Sequence, residues 1–116
     1  MNFMNRDKVE QLSKEIGQDN IPILLGIFTG ELVSYQEQLS TGSLSDKMAS
    51  MKEICHALKS SAASFGAESL CQFAVDIDAQ VKNGQLAEDQ TQVDHMLHNL
   101  SQTHRCYLAF LQSFEE

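Results

Sequence analysis

The chemistry in this sequence gathers in eleven residues, His56-Ala57-Leu58-Lys59-Ser60-Ser61-Ala62-Ala63-Ser64-Phe65-Gly66. Met48, Met51, Cys55, Leu58, Ala62 and Phe65 alternate by threes and fours, which predicts a helix with one buried stripe. At 100° per residue His56 points roughly 130° away from that stripe. It shares the outer side with Ala49, Lys52, Lys59, Ser60 and Ala63. The stripe is complete without His56, so packing does not account for it. An outward imidazole among small side chains is one that another macromolecule can approach closely.

A lone surface histidine is ordinarily just solvated, and so is a lone lysine. The grouping is what argues for chemistry. A neutral imidazole nitrogen can attack the phosphorus of an aspartyl phosphate in line and give a phosphoramidate that stays reactive toward a further aspartate. Such a transfer runs through a loose transition state, so positioning and charge stabilisation do most of the work. Lys59, one turn on, can meet the added phosphoryl oxygens. A unit charge pair at ~4 Å is worth about 4 kcal/mol at an effective dielectric near 20, and less once water and salt intervene.

The elements that must position these residues are all helical in pattern. Asp7-x-x-Glu10 predicts a first start, Val9, Leu12 and Ile16 a short stripe, and Gly17 a stop. Asp19 or Asn20 caps the next helix, with Pro22 in its first turn. Leu24, Phe28, Leu32, Tyr35 and Leu39 form its core face. Ile23 and Ile27 fall on another side, either as surface scatter or as part of an apolar docking patch. Thr41-Gly42-Ser43 breaks the chain, and the third helix begins near Ser45 or Asp46. After Gly66 a fourth helix follows at once with Leu70, Phe73, Ala74, Ile77 and Val81 inward, ending near Asn83-Gly84. So tight a connection makes the third and fourth helices an antiparallel hairpin. The last helix runs from about Glu88 to Phe114, with Val93, Met96, Leu97, Leu100, Tyr107, Leu108, Leu111 and Phe114 buried. No segment alternates like a strand. The expected architecture is all-α: an antiparallel up-down-up-down four-helix bundle with a short extra helix at its N-terminus, one domain over residues 1–116.

Composition narrows the function. The 116 residues carry a formal charge of −8, from 16 acidic and 8 basic side chains, so no basic footprint for nucleic acid or an anionic membrane exists. Cys55, Cys71 and Cys106 are odd in number and far apart, without a CxxC pair, which fits reduced thiols. The polar N-terminus has no signal-like apolar core, and the Ile21–Phe28 run is too short to span a bilayer, so a cytoplasmic address is expected. A kinase is excluded by the lack of a Gly-rich phosphate loop.

The spacing His-x-Leu-Lys at His56, Leu58 and Lys59, then small residues, then Gly66 ten places after the histidine, resembles the phosphoacceptor motif of histidine-containing phosphotransfer domains. The whole chain is also similar in length and layout to a quorum-sensing phosphorelay member of that family. The resemblance implies that His56 accepts a phosphoryl group from a receiver-domain aspartate of a hybrid sensor kinase. It then passes the group to the receiver domain of a response regulator. It also implies a monomeric carrier with no cofactor or metal of its own, the metal and catalytic apparatus lying in the partners. Family members typically have glycine four residues after the histidine, where this chain has Ser60, and a small residue at the place of Ala63. Many place an imidazole-binding glutamine on the facing helix. The matching residue here is Asp78, which orients the ring or is merely an exposed helix charge. The docking surface implied comprises Lys52, Ser60, Ala63, Ile23 and Ile27, with Gly66 shaping the hairpin turn.

Two other classes compete. Glu53-x-x-His56 is a ligand pair of the kind used twice in di-metal bundles, but no second pair occurs, it points outward, and lysines flank it. His95 and His98 lie i, i+3 on an exposed side near Asp94, His104 falls in the apolar stripe as a hydrogen-bonded core histidine, and Cys55 diverges from His56 by about 100°. A bundle that binds partners without chemistry, a plain adaptor, is the alternative from a different class.

Overall fold

A computed structural model of the protein describes residues 2–113, in five α-helices: α1 (Arg6–Ile16), α2 (Ile21–Gln38), α3 (Leu44–Phe65), α4 (Glu68–Lys82) and α5 (Gln90–Ser113). A 3-10 turn, Gln18–Asn20, joins α1 to α2, and no strand occurs among the described residues. Helices α2 to α5 form the bundle expected, with α3 packed most extensively on α4 and α2 on α5. Helix α1 lies across α2 and α3.

Local chemistry sets the ends of α3, the helix that carries His56. Ser43 accepts from Asp46 N at 3.1 Å while its own N–H donates to Asp46 Oδ2 at 3.3 Å, a reciprocal cap. The helix therefore starts slightly before Ser45. At the other end Gly66 is left-handed at φ +81°, Ala67 N–H reaches Ala62 O at 2.9 Å, and Gly66 N–H reaches Ala63 O at 3.2 Å. A side chain at Gly66 meets Lys8 Cβ at 2.9 Å and Asn5 O at 3.1 Å, so glycine is required there twice over. Asn5 N–H donates to Gly66 O at 2.8 Å, and the Tyr107 hydroxyl donates to Phe65 O at 2.7 Å. Phe28 stacks on Phe65 at 4.6 Å and meets Tyr107 edge-on at 5.1 Å. The hairpin that carries the site is thus pinned from both sides.

Several expectations are corrected in detail. The cap of α1 is Asn5, whose Oδ1 accepts from Lys8 N at 3.2 Å, so Asp7 falls inside the first turn. Asn20 is the N-cap of α2, as expected, but makes no side-chain cap bond there, its amide donating back to Ile16 O at 2.7 Å. The buried residues of α2 are Ile21, Leu25, Phe28, Thr29 and Leu32, with Leu39 buried just past its end, and Leu24 is only partly covered. The first half of α2 is apolar nearly all round, so spacing alone does not separate Leu24 from Leu25 when both lie a turn before Phe28. On α5, Thr103 occupies the core position between Leu100 and Tyr107, its hydroxyl satisfied by Asn99 O at 2.7 Å. His104 is displaced to the half-covered flank beside Val33, Gln36 and Glu37, not the core. Leu108 is exposed. Phe114 lies outside the described residues.

Candidate functional site

His56 projects from the outer side of α3 with its side chain 70% exposed. The next helix supplies what it faces. Because α3 and α4 run antiparallel through the tight Gly66 turn, Asp78 sits opposite His56, with its carboxylate only 7% exposed. His56 Nδ1 lies 3.4 Å from Asp78 Oδ1, inside ion-pair range but longer than a formed hydrogen bond. Contacts of catalytic groups are often this loose before the reacting partner arrives.

Two lysines converge on the other carboxylate oxygen. Lys59 Nζ is 2.6 Å from Asp78 Oδ2, and Lys82 Nζ, one turn along α4, is 2.9 Å from the same atom. Bonding to Lys59, then to Lys82, holds the Asp78 carboxyl well below the usual carboxylate range, although burial pushes the other way. The Lys82 ammonium is raised, chiefly by Asp78. Asp78 is therefore ionised at any ordinary pH and offers Nδ1–H an acceptor, which leaves Nε2 as the outward lone pair. Of the two readings open for Asp78, the exposed helix charge is excluded by its burial.

Sequence reasoning missed Lys82. The signal was present, since an acid four residues before a base on one helix is a side-chain pair. It also left Lys59 free to meet a phosphoryl group, whereas Lys59 rests on Asp78 with 29% exposure. A lysine has three donors, so the contact leaves two for another ligand.

The remaining positions are distributed around this cluster. Ser60 is exposed, but its hydroxyl folds back to Ala57 O at 3.3 Å, so it adds little bulk in the approach direction. Ala63 is exposed beside a shallow groove that Asn5, Lys8, Gly66 and Cys71 also line. Gly66 itself is covered and serves the turn. Lys52 is paired with Glu88 at 2.8 Å, which brings the α4–α5 loop alongside α3. Ile23 and Ile27 are exposed on α2, outside the ion cluster. Cys55, next to His56 in sequence, is buried with Sγ 3.5 Å from Met96 Sδ, and burial, then the Asp78 charge, pushes its thiol up to about 12. It is no nucleophile. Among the described residues no three His, Cys, Asp or Glu side chains converge as metal ligands.

The fold is a helical bundle, and of the exposed imidazoles among the described residues, His56, His95 and His98, it is His56 that faces a buried carboxylate. The Hpt domain model matches residues 23–105, and the chain belongs to the Hpt domain family. It is 50% identical over 105 residues to the phosphorelay protein LuxU of Vibrio cholerae serotype O1, covering 90% of this chain and 93% of that protein. LuxU of Vibrio vulnificus is 47% identical over 110 residues, at 95% and 96% coverage, and LuxU of Vibrio harveyi 48% over 107, at 92% and 94%. The crystal structure of histidine-containing phosphotransfer protein B (HptB) from Pseudomonas aeruginosa PAO1 superposes with a TM-score of 0.77 over 96% of each chain. At 15% identity that last likeness is one of fold. The protein is a phosphorelay intermediate, a phosphocarrier rather than a catalytic enzyme, and its class works with receiver domains.

Proposed function

We propose that His56 is the phosphoacceptor. It takes the phosphoryl group from the receiver-domain aspartate of a hybrid sensor kinase and passes it to the receiver domain of a response regulator in a quorum-sensing relay. The observation that carries this reading is an imidazole 70% exposed whose Nδ1 faces a buried, ionised carboxylate at 3.4 Å. Attack by the Nε2 lone pair forms an N–P bond while the P–O bond to the donor aspartate breaks, and that electron pair leaves with the carboxylate. The Asp78 charge favours the positive charge that develops on the ring. Lys59 meets the phosphoryl oxygens with a donor not used on Asp78.

Lys52, Ser60 and Ala63 border the imidazole on the docking side, and Ile23 and Ile27 add exposed apolar surface on α2. Gly66 contributes through the hairpin turn. No helix among the described residues is long and apolar enough to cross a membrane. The carrier works as a cytoplasmic monomer, without nucleic acid, and the partners bring the metal ion.

The test is transfer from a labelled, phosphorylated receiver domain. Acid-labile, base-stable label is expected on the wild-type chain and none on His56→Gln. Label of equal intensity on the variant contradicts the assignment.

A further inference from the structure

The resting cluster has more positive charge than its own carboxylate needs. Asp78 carries one negative charge, yet Lys59 and Lys82 both rest on its Oδ2 atom, at 2.6 and 2.9 Å. Two ammoniums on one oxygen repel each other, so the second is held less firmly than it would be alone. They differ in how easily they move. Lys59 has the shorter contact and is 29% exposed, while Lys82 is 61% exposed and sits on the last turn of α4. Little packing holds the Lys82 stem in place, and its four-carbon chain is flexible.

Phosphorylation redistributes these charges, on the reading that His56 is the acceptor. The N–P bond forms at Nε2, the donor's P–O bond breaks, and the proton on Nδ1 remains. The ring becomes cationic and the phosphoryl group brings up to two negative charges. The cationic ring now faces Asp78 Oδ1 and satisfies that carboxylate, while the new dianion is met by the single charge of Lys59. We propose that Lys82 is a second phosphoryl-binding ammonium, parked on Asp78 in the resting carrier and transferred to the phosphoryl group when His56 is loaded. The carboxylate trades a lysine for the imidazolium, and the resting excess of one positive charge becomes a neutral cluster. Lys82 Nζ and His56 Nδ1 rest on the two oxygens of one carboxylate, at 2.9 and 3.4 Å, so the ammonium and the ring belong to one cluster. α3 itself carries Asp46, Lys47, Lys52, Glu53 and Lys59; Lys52 is paired with Glu88 at 2.8 Å, and of the two lysines on Asp78 Lys82 is the more exposed.

The experiment loads the full chain with phosphoramidate, a small donor whose own P–N bond breaks as ammonia leaves, and follows the phosphohistidine by 31P NMR against pH. In Lys82→Gln the titration midpoint of the phosphoryl group rises by about half a unit or more, because a bound cation favours the dianion. Lys82→Arg returns it to near the wild-type value. Lys52→Gln, which removes a nearby charge already paired with Glu88, shifts it less. A Lys82→Gln midpoint equal to wild type overturns the proposal, and so does a shift equal to that of Lys52→Gln. Loading on a residue other than His56 in the wild type brings down the phosphoacceptor assignment itself, a different failure from an unshifted midpoint.

Discussion

The two faces of α3 are built to different rules. On the inner face Met48, Met51, Ile54, Cys55, Leu58 and Ala62 are buried and make the bundle core. On the outer face His56 is open and Lys59 is held by a carboxylate of the next helix. Cys55 and His56 are neighbours in sequence with opposite fates: a thiol pushed up to about 12 and shut away, and an imidazole set before solvent. Helical geometry thus separates stability from chemistry within a single turn. Changes on one face leave the other largely intact, and that independence can be attacked directly.

The largest effect is expected at His56. His56→Gln abolishes phosphoryl uptake yet moves the thermal midpoint by no more than about 3 °C, as surface substitutions do. A variant that unfolds breaks the comparison. The mirror experiment is Leu58→Ala, which costs about 2–5 kcal/mol in urea unfolding through the lost side chain and the cavity left behind. The fraction that stays folded is still expected to accept label on His56. Loss of transfer in proportion beyond unfolding shows that the faces are coupled.

Asp78 joins the faces, being buried and yet turned to the imidazole. Asp78→Asn slows transfer roughly tenfold or more, by analogy with the loss when a carboxylate behind a metal-bound histidine is removed. Its acid dependence has a definite sign. The folded carboxyl titrates below the unfolded one, so its contribution is whole above about pH 4 and is lost as pH falls through the folded value. The stability gap between wild type and Asp78→Asn should narrow between pH 5 and pH 2 in urea titrations. A gap constant with pH contradicts the Lys59–Asp78–Lys82 arrangement. The smallest effect belongs to Lys52 and Glu88, whose side chains are 38% and 59% exposed. Removing either costs less than about 1 kcal/mol, and less still in high salt.

The bundle was legible because α3, α4 and most of α5 repeat apolar residues at helical spacing, and because Gly66 and Asn83-Gly84 punctuate them. What misled was local. In α2 the apolar cluster Ile21-Pro22-Ile23-Leu24-Leu25 satisfies two registers, and only tertiary packing selects Leu25. In α5 a satisfied Thr103 takes a core position that polarity argues against, which displaced His104 and Leu108 in the reading. At the site, His56 and Lys59 stood out by their face, whereas Asp78 came through the family resemblance, as the residue matching a glutamine on the facing helix. The sharing of one Asp78 oxygen by two lysines is a three-dimensional fact, since it depends on how α3 and α4 are rotated against each other. The i, i+4 spacing of Asp78 and Lys82 hinted at half of it.

The central claim is that one imidazole, faced by Asp78 on its Nδ1 side, carries the phosphoryl group on its other nitrogen. Nitrogen-15 NMR of ring-labelled histidine in the phosphorylated protein reads this directly. The account predicts one phosphorylated ring among the four histidines, His56, bonded to phosphorus at Nε2 with Nδ1 still protonated. Phosphorus on Nδ1 of that ring, or on His95, His98 or His104, contradicts it.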